Sequence, residues 1–175
     1  NKVGSQVNLV QVENPLYSGG INLPEVEQSI QALKCQISAE PDRTILIATM
    51  NQAQTSELKI ALEREIQNDP LLEKFSATHQ STLDELVVKN LENVQGDERD
   101  VVIISTVYGP GADGRVMQNF GPVNKDSGWR RLNVLFTRAK HKVIVVSSLT
   151  PSDIASTENS SRGVRALRGY LDFAI

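Results

Sequence analysis

The fold class predicted by this chain is a three-layer α/β domain with a mostly parallel central sheet, on three observations. Short β-branched runs alternate with stretches of helical periodicity. Two of the runs, VVIIS at 101–105 and VIVV at 143–146, are apolar without a break, the pattern of strands covered on both faces. With 175 residues, 39% of them hydrophobic, the chain has the size of one domain with a single good core.

Taken in order, residues 7–12, 44–49, 85–88, 101–107 and 142–147 are expected as strands. Helices are expected over 25–38, 53–68 and 129–139. Asn22 stands three residues before Glu25, the spacing of a capping box, so its side chain can take an orphan N–H. Thr150, Pro151 and Asp153 open a further helix in similar fashion. The closing stretch 164–173 carries Val164, Leu167, Leu171 and Ala174 at helical spacing, a stripe suited to docking on the sheet. Two stretches read as loops. Residues 109–128 hold five glycines and two prolines, a length that in a compact domain is usually functional or mobile. Residues 152–163 are Ser-rich and read as a surface connection. There is no internal repeat.

Composition excludes several classes. The apolar share is too high for a disordered chain, and no apolar run nears the roughly 18 residues of a membrane span. The single cysteine, Cys35, cannot form an internal disulfide, which fits a reducing, cytoplasmic setting. The opening NKVGSQVNLV lacks an initiator Met and a signal peptide, so the chain reads as a piece of something longer. The net charge of -3 conceals a division: residues 1–100 are strongly acidic and residues 101–175 basic. Between 129 and 142 there are five Lys or Arg and no acid. Such a tract is either a solvated helix face or a local field that steers phosphate.

Most catalytic motifs are missing. Gly109-x-Gly111-x-x-Gly114 matches the dinucleotide fingerprint in letters, but only residues 115–120 separate it from Gly121-Pro122, too few for the crossover helix whose N-terminus receives a pyrophosphate. His79 and His141 lie far apart, and Cys35 has no partner at metal-ligand spacing. There is no Gly-x-Ser-x-Gly elbow and no phosphate loop of the Gly-Lys-Ser/Thr kind.

Two segments carry more. In LENVQGDERD (91–100), Gly96 in a tight turn lets backbone N–H groups approach an anion, and Glu98, two residues on, can accept from a sugar hydroxyl. It can equally be a plain turn before a strand. In RRLNVLFTRAK (130–140), Leu132, Leu135, Phe136 and Ala139 share one expected helical face. Arg131 and Arg138, seven apart, then fall on one side, roughly 10 Å apart along the axis. They can meet phosphates or simply pair with nearby carboxylates.

Together and in this order the two segments resemble motifs V and VI of superfamily 1 helicases. QGDERDVVIISTV is similar to the family's QGxExDxIIxSxV, and RRLNVLFTRAK to its RRLNVALTRAR. ILIATMNQAQ (45–54) is similar to motif IV, and Asn22-Leu23-Pro24-Glu25 resembles the Asn-x-x-Glu that opens the second motor domain's first helix. The tail, SSLTPSDI and RGVRALRGYLDFA, resembles the stretch after motif VI in large helicase-like proteins that carry a nuclease-like domain further on. The sequence departs from the pattern at Met50-Asn51 (usually Pro-Tyr), at Glu92-Asn93-Val94 (usually Asp-x-Phe) and at Tyr108 (often Arg).

The resemblance implies a RecA-like P-loop NTPase fold over residues 1–150, with 151–175 a linker and helix leading to a further domain. It implies ATP with Mg²⁺ held mainly by a first RecA-like domain of the same parent. Arg138 is then the arginine finger, with Gly96 near the γ-phosphate, Gln95 also on the nucleotide, Glu98 facing the ribose, and Arg131 linking the nucleotide site to the strand-binding face. Thr49, Asn51, Gln54, Lys89 and Asn90 fall where the family meets single-stranded nucleic acid, DNA before RNA. The Arg138 side chain is expected outside the core, directed to the carboxyl ends of the strands. Rival expectations are a non-catalytic nucleic-acid-binding or scaffold module derived from a helicase, and a self-contained nucleotide-binding domain.

Overall fold

The computed structural model describes residues 5–174; the first four residues of the expected 1–150 domain, and Ile175, lie outside the described residues. Five strands form one sheet among them: β1 (Gln6–Gln11), β4 (Ile45–Thr49), β5 (Val87–Asn90), β6 (Arg99–Ser105) and β7 (Ala139–Ser147), in the order β1-β7-β6-β4-β5. Every pairing is parallel. A two-residue hairpin, β2 (Tyr17–Ser18) and β3 (Ile21–Asn22), stands apart and turns through Gly19 and Gly20, both at positive φ.

Helices cover both faces, which is why the strands read as unbroken apolar runs. Side chains alternate across a strand, so Ile45 and Ile47 face one layer while Leu46 and Ala48 face the other. The first layer is α1 (Leu23–Ala39), α2 (Gln52–Asn68) and α3 (Pro70–His79), through Ile30, Leu33, Leu58, Leu62 and Phe75. The second is α4 (Gly128–Phe136) and α5 (Arg162–Ala174), through Leu132, Leu135 and the expected stripe Val164, Leu167, Leu171 and Ala174.

Four expectations are corrected. α3 lies where no helix is expected; Asp69 caps it by accepting from the Leu71 N–H, and Pro70 begins it. α4 stops at Phe136: the Thr137 N–H makes the last bond four residues back, to Asn133 O, the Arg138 N–H reaches only three back, to Leu135 O, and Arg138 leads straight into β7. Arg131 and Arg138 are therefore not two points on one helix, and Ala139 is a strand residue. The Thr150–Asp153 capping box closes a single 3-10 turn, Pro151–Asp153, and the next helix, α5, begins only at Arg162. The strands expected over 85–88 and 101–107 start and end two residues away from that, at 87–90 and 99–105.

Within residues 109–128, Pro110 bridges Val116, and the Gly111 and Gly114 N–H groups close a small turn. Gly121–Asn124 is a further 3-10 turn, packed on α4 and α5. No described helix is long and apolar enough to cross a membrane.

Candidate functional site

The chain leaves the carboxyl end of β5 at Asn90 and returns to the amino end of β6 at Arg99. Leu91 and Val94 anchor this return in the core between sheet and α4. Between them and β6 the Asp97 N–H donates to Val94 O at 3.1 Å, closing a turn with Gly96 at φ +86°. That left-handed angle strains any residue with a side chain, and no heavy atom stands within 4 Å of where a Cβ would be. Gln95, Gly96 and Glu98 are consequently exposed.

Two cations fix the turn from beneath. Lys89 Nζ lies 2.6 Å from Asp97. Arg99 is almost fully buried; its guanidinium donates to Glu98 O at 3.1 Å and Glu85 O at 3.0 Å, leaving Nε without a partner. Sequence reasoning misses Arg99, although it stands inside the matched motif.

Arg138 comes to the same place. Its carbonyl accepts from the Arg99 N–H at 3.1 Å, the first rung between β6 and β7. Its guanidinium is half-buried, donating from Nε to Val134 O at 3.0 Å and from Nη2 to Thr137 Oγ1 at 3.4 Å. Among the described residues it pairs with no carboxylate. One residue into β7, Lys140 Nζ stands 4.0 Å from Glu98. Arg131, on α4, pairs with Glu92 across the return segment. Gln95, Gly96, Glu98 and Arg138 thus lie on the segments that enter β6 and β7, whereas Arg131 pairs with Glu92, two residues past the carboxyl end of β5.

The entry side is not the expected one. Arg138 precedes β7, and Glu98 precedes β6, so the group sits at the amino ends of the strands and not at the carboxyl ends. The cause is local: with α4 closed at Phe136, two residues suffice to enter β7, and Arg138 stays at its start.

The other expected residues gather at the carboxyl ends. Thr49 is fully buried, with Oγ1 2.7 Å from Asn51 O and 2.6 Å from Thr55 Oγ1. Asn51 caps α2 by accepting from the Gln54 N–H at 2.8 Å, and its amide donates to Gly20 O. Gln54, also fully buried, accepts from the Asn22 N–H and donates to Asn22 O and Ser105 Oγ. Asn90 accepts from the Glu92 N–H and donates to Gln52. Lys89 and Asn51 are half-buried; Thr49 and Gln54 present no surface.

Beside them lies a buried carboxylate whose burial the sequence did not announce, though Asn22 and Glu25 were legible as a cap. Glu25 accepts from Ser105 Oγ at 2.7 Å, the Val107 N–H at 2.6 Å and Ser148 Oγ at 2.9 Å. Burial pushes its carboxyl up to about 7, opposed by those same donors, which favour the charged form. Tyr108, at the position where the family often has Arg, is packed between Tyr17 and Phe120, and burial pushes its hydroxyl up to about 12.

Comparison with known proteins supports this assignment of elements. Residues 10–150 match a family described as AAA domain. An uncharacterized ATP-dependent helicase of Mycoplasma pneumoniae, an MG140 homolog, is 33% identical over 153 residues, covering 86% of this chain and 13% of its own. The Mycoplasma genitalium helicase MG140 is 31% identical over 160 residues, covering 89% and 14%. The DNA replication ATP-dependent helicase/nuclease DNA2 of Gallus gallus is 41% identical over 59 residues, 34% of this chain and 5% of its own. The chain thus spans a small part of the curated relatives it matches. The C-terminal domain of a possible DNA helicase from Lactobacillus superposes with a TM-score of 0.50 at 17% identity, over 96% of this chain and 84% of that one, a likeness of fold alone. With its parallel five-stranded sheet and this match over residues 10–150, the chain belongs to the AAA domain family.

Proposed function

We propose that this domain is the second half of an ATP-driven superfamily 1 motor that moves on single-stranded nucleic acid, DNA before RNA. In this reading Arg138 completes a triphosphate pocket whose other half is a first RecA-like domain of the same parent. The observation that carries it is the Arg138 guanidinium itself, half-buried, without a carboxylate partner among the described residues, and tied through its carbonyl to the strand that begins at the Gly96 turn.

The residues fit the outer half of such a pocket. Gln95 and Gly96 offer an exposed turn that lets backbone approach an anion, Glu98 offers a carboxylate for a ribose hydroxyl, and Arg138 offers a forked donor for oxygens that gain charge. ATP with Mg²⁺, held mainly by the first domain, supplies the phosphoryl group. Arg138 stabilises charge on it, a contribution on the order of 10³–10⁵ in rate in related NTPases. Arg131, paired with Glu92, links this side to α4.

On the strand side, Asn51 and Lys89 are the side chains with surface to offer. Thr49, Gln54 and Asn90 act by holding the loop after β4 and the end of β5 in place. A cytoplasmic setting suits a motor of this kind. Residues 1–150 are the motor proper, and 151–175 lead on towards a further domain; that one relative is a helicase/nuclease suits a nuclease-like domain in the parent.

The test is Arg138→Ala in the parent protein. ATP binding stays largely intact while turnover falls at least about a hundredfold. Unchanged turnover overturns the proposal.

A further inference from the structure

Trp129 opens α4, and two guanidinium carbons stand over its ring: Arg130 at 5.5 Å and Arg162, the first residue of α5, at 6.0 Å from the centroid. Arg165, one helical turn beyond Arg162, lines the same cleft of about 520 Å³, as do Asp126 and Ser127. All three arginines are exposed, and among the described residues none donates a side-chain hydrogen bond or pairs with a carboxylate. Arg168, on the same helix, is by contrast already committed to Ile154 O.

Three like charges against the single carboxylate of Asp126 leave the cleft net positive, and the Trp129 ring relieves part of their repulsion by cation–π attraction. An anion would relieve the rest. The forks come from two helices, so they are spread over a length that suits successive phosphates better than one isolated carboxylate. They also stand on the basic part of a chain whose net charge is -3, so the field is local to the cleft.

We propose that the cleft of Trp129, Arg130, Arg162 and Arg165 is a binding site for the phosphate backbone of single-stranded nucleic acid, separate from the residues at the ends of β4 and β5. This assignment rests on the motor reading above for its partner, and adds a grip between α4 and α5 in which only Arg130 belongs to the matched motifs V and VI.

The chain has one tryptophan, so its fluorescence reports on this cleft alone. Titration of the whole chain with an oligothymidylate single strand, followed by both anisotropy and tryptophan emission, should show binding together with a change in Trp129 emission. Arg162→Ala with Arg165→Ala should weaken binding at least about tenfold and flatten the plot of log affinity against log salt by roughly 1.4, the loss of two single-strand phosphate contacts. The fold should persist by circular dichroism, both side chains being exposed. The Lys pair at the same positions should restore most of the salt slope.

Binding with silent Trp129 emission overturns the site and leaves the motor reading in place. An affinity unmoved by the double alanine variant overturns it as well. So does an equal emission change with inorganic phosphate, free nucleotide or polyglutamate, which would assign the cleft to small anions or acidic protein. No binding of the strand at all also overturns the site, whereas the motor reading is judged separately by the turnover of the Arg138→Ala parent.

Discussion

Glu25 and Val107 are 82 positions apart in sequence and joined by a hydrogen bond of 2.6 Å, the Val107 N–H donating to Glu25 Oε1. Val107 is at φ +70°, a left-handed angle that a β-branched residue rarely adopts. Asn22 completes the grip by donating to Val107 O at 2.9 Å. The first turn of α1 therefore holds the chain where it leaves β6 in a strained conformation, of the kind that costs on the order of 1–3 kcal/mol and persists only when its surroundings over-determine it.

The pH dependence arises from the same carboxyl. Its folded value of about 7 lies above the ordinary 4.5, so between these values the folded state holds more proton than the unfolded one. The stability Glu25 contributes should accordingly fall as pH rises from about 4.5 through about 7 and then level off. Glu40, held down to about 2 first by Gln36 and then by Lys142 and Arg43, acts below that window and with the opposite sign. Urea unfolding across the window should show the slope in the natural chain and lose that component in Glu25→Gln, whose neutral amide keeps an oxygen for the Val107 N–H but has no proton to release. Parallel pH profiles for the two would refute the assignment.

Glycines on α5 should divide sharply. A Cβ at Gly163 would run into Val123 O and stand 2.9 Å from Lys125 O, both backbone atoms that cannot step aside. Gly163→Ala should cost more than about 2 kcal/mol. Gly169 has nothing within 4 Å and lies mid-helix, so Gly169→Ala should stabilise by about 0.5–1 kcal/mol. Thermal melts of the pair check both signs.

Ion pairs around the Gly96 turn should differ in weight for reasons of exposure. Arg131 and Glu92 are 38% and 48% exposed, and Glu92→Gln should move stability by less than about 1 kcal/mol. Arg99 is 5% exposed and donates to two carbonyls, so Arg99→Ala should cost at least about 2 kcal/mol by leaving Glu85 O and Glu98 O without donors. Denaturant midpoints for the two variants would settle the ranking.

Arg138→Ala should leave the fold of the chain intact while abolishing most turnover in the parent, because its side chain bonds only to Val134 O and Thr137 within its own turn. A loss of more than about 2 kcal/mol of stability would mean that the residue serves packing instead.

The layered fold was legible because burial on both faces writes itself into sequence as unbroken runs such as VVIIS, and because Val164, Leu167 and Leu171 keep helical spacing. The capping of α1 by Asn22 was equally readable. What escaped was set by single residues against the local pattern. Asp69-Pro70 restarts a helix immediately after one has ended, and Thr137 ends α4 inside a stretch whose letters still read as helical. Of the site, the cluster from Gln95 to Arg138 was foreseen from the paired motifs, but its end of the sheet was not, since that depends on where α4 stops. The enclosure of Thr49 and Gln54 was hidden too, because short polar side chains look alike in sequence whether they face water or each other.

α4 is nine residues long, about 13 Å from the Trp129 ring's end to the turn that carries Arg138. Gly128 seats it against the Val123 backbone at its start, Leu132 on the sheet at its middle and Leu135 near its end. A helix seated at three points along nine residues behaves as a rigid spacer, so the arginine-flanked indole and the turn that carries Arg138 keep a set distance from each other.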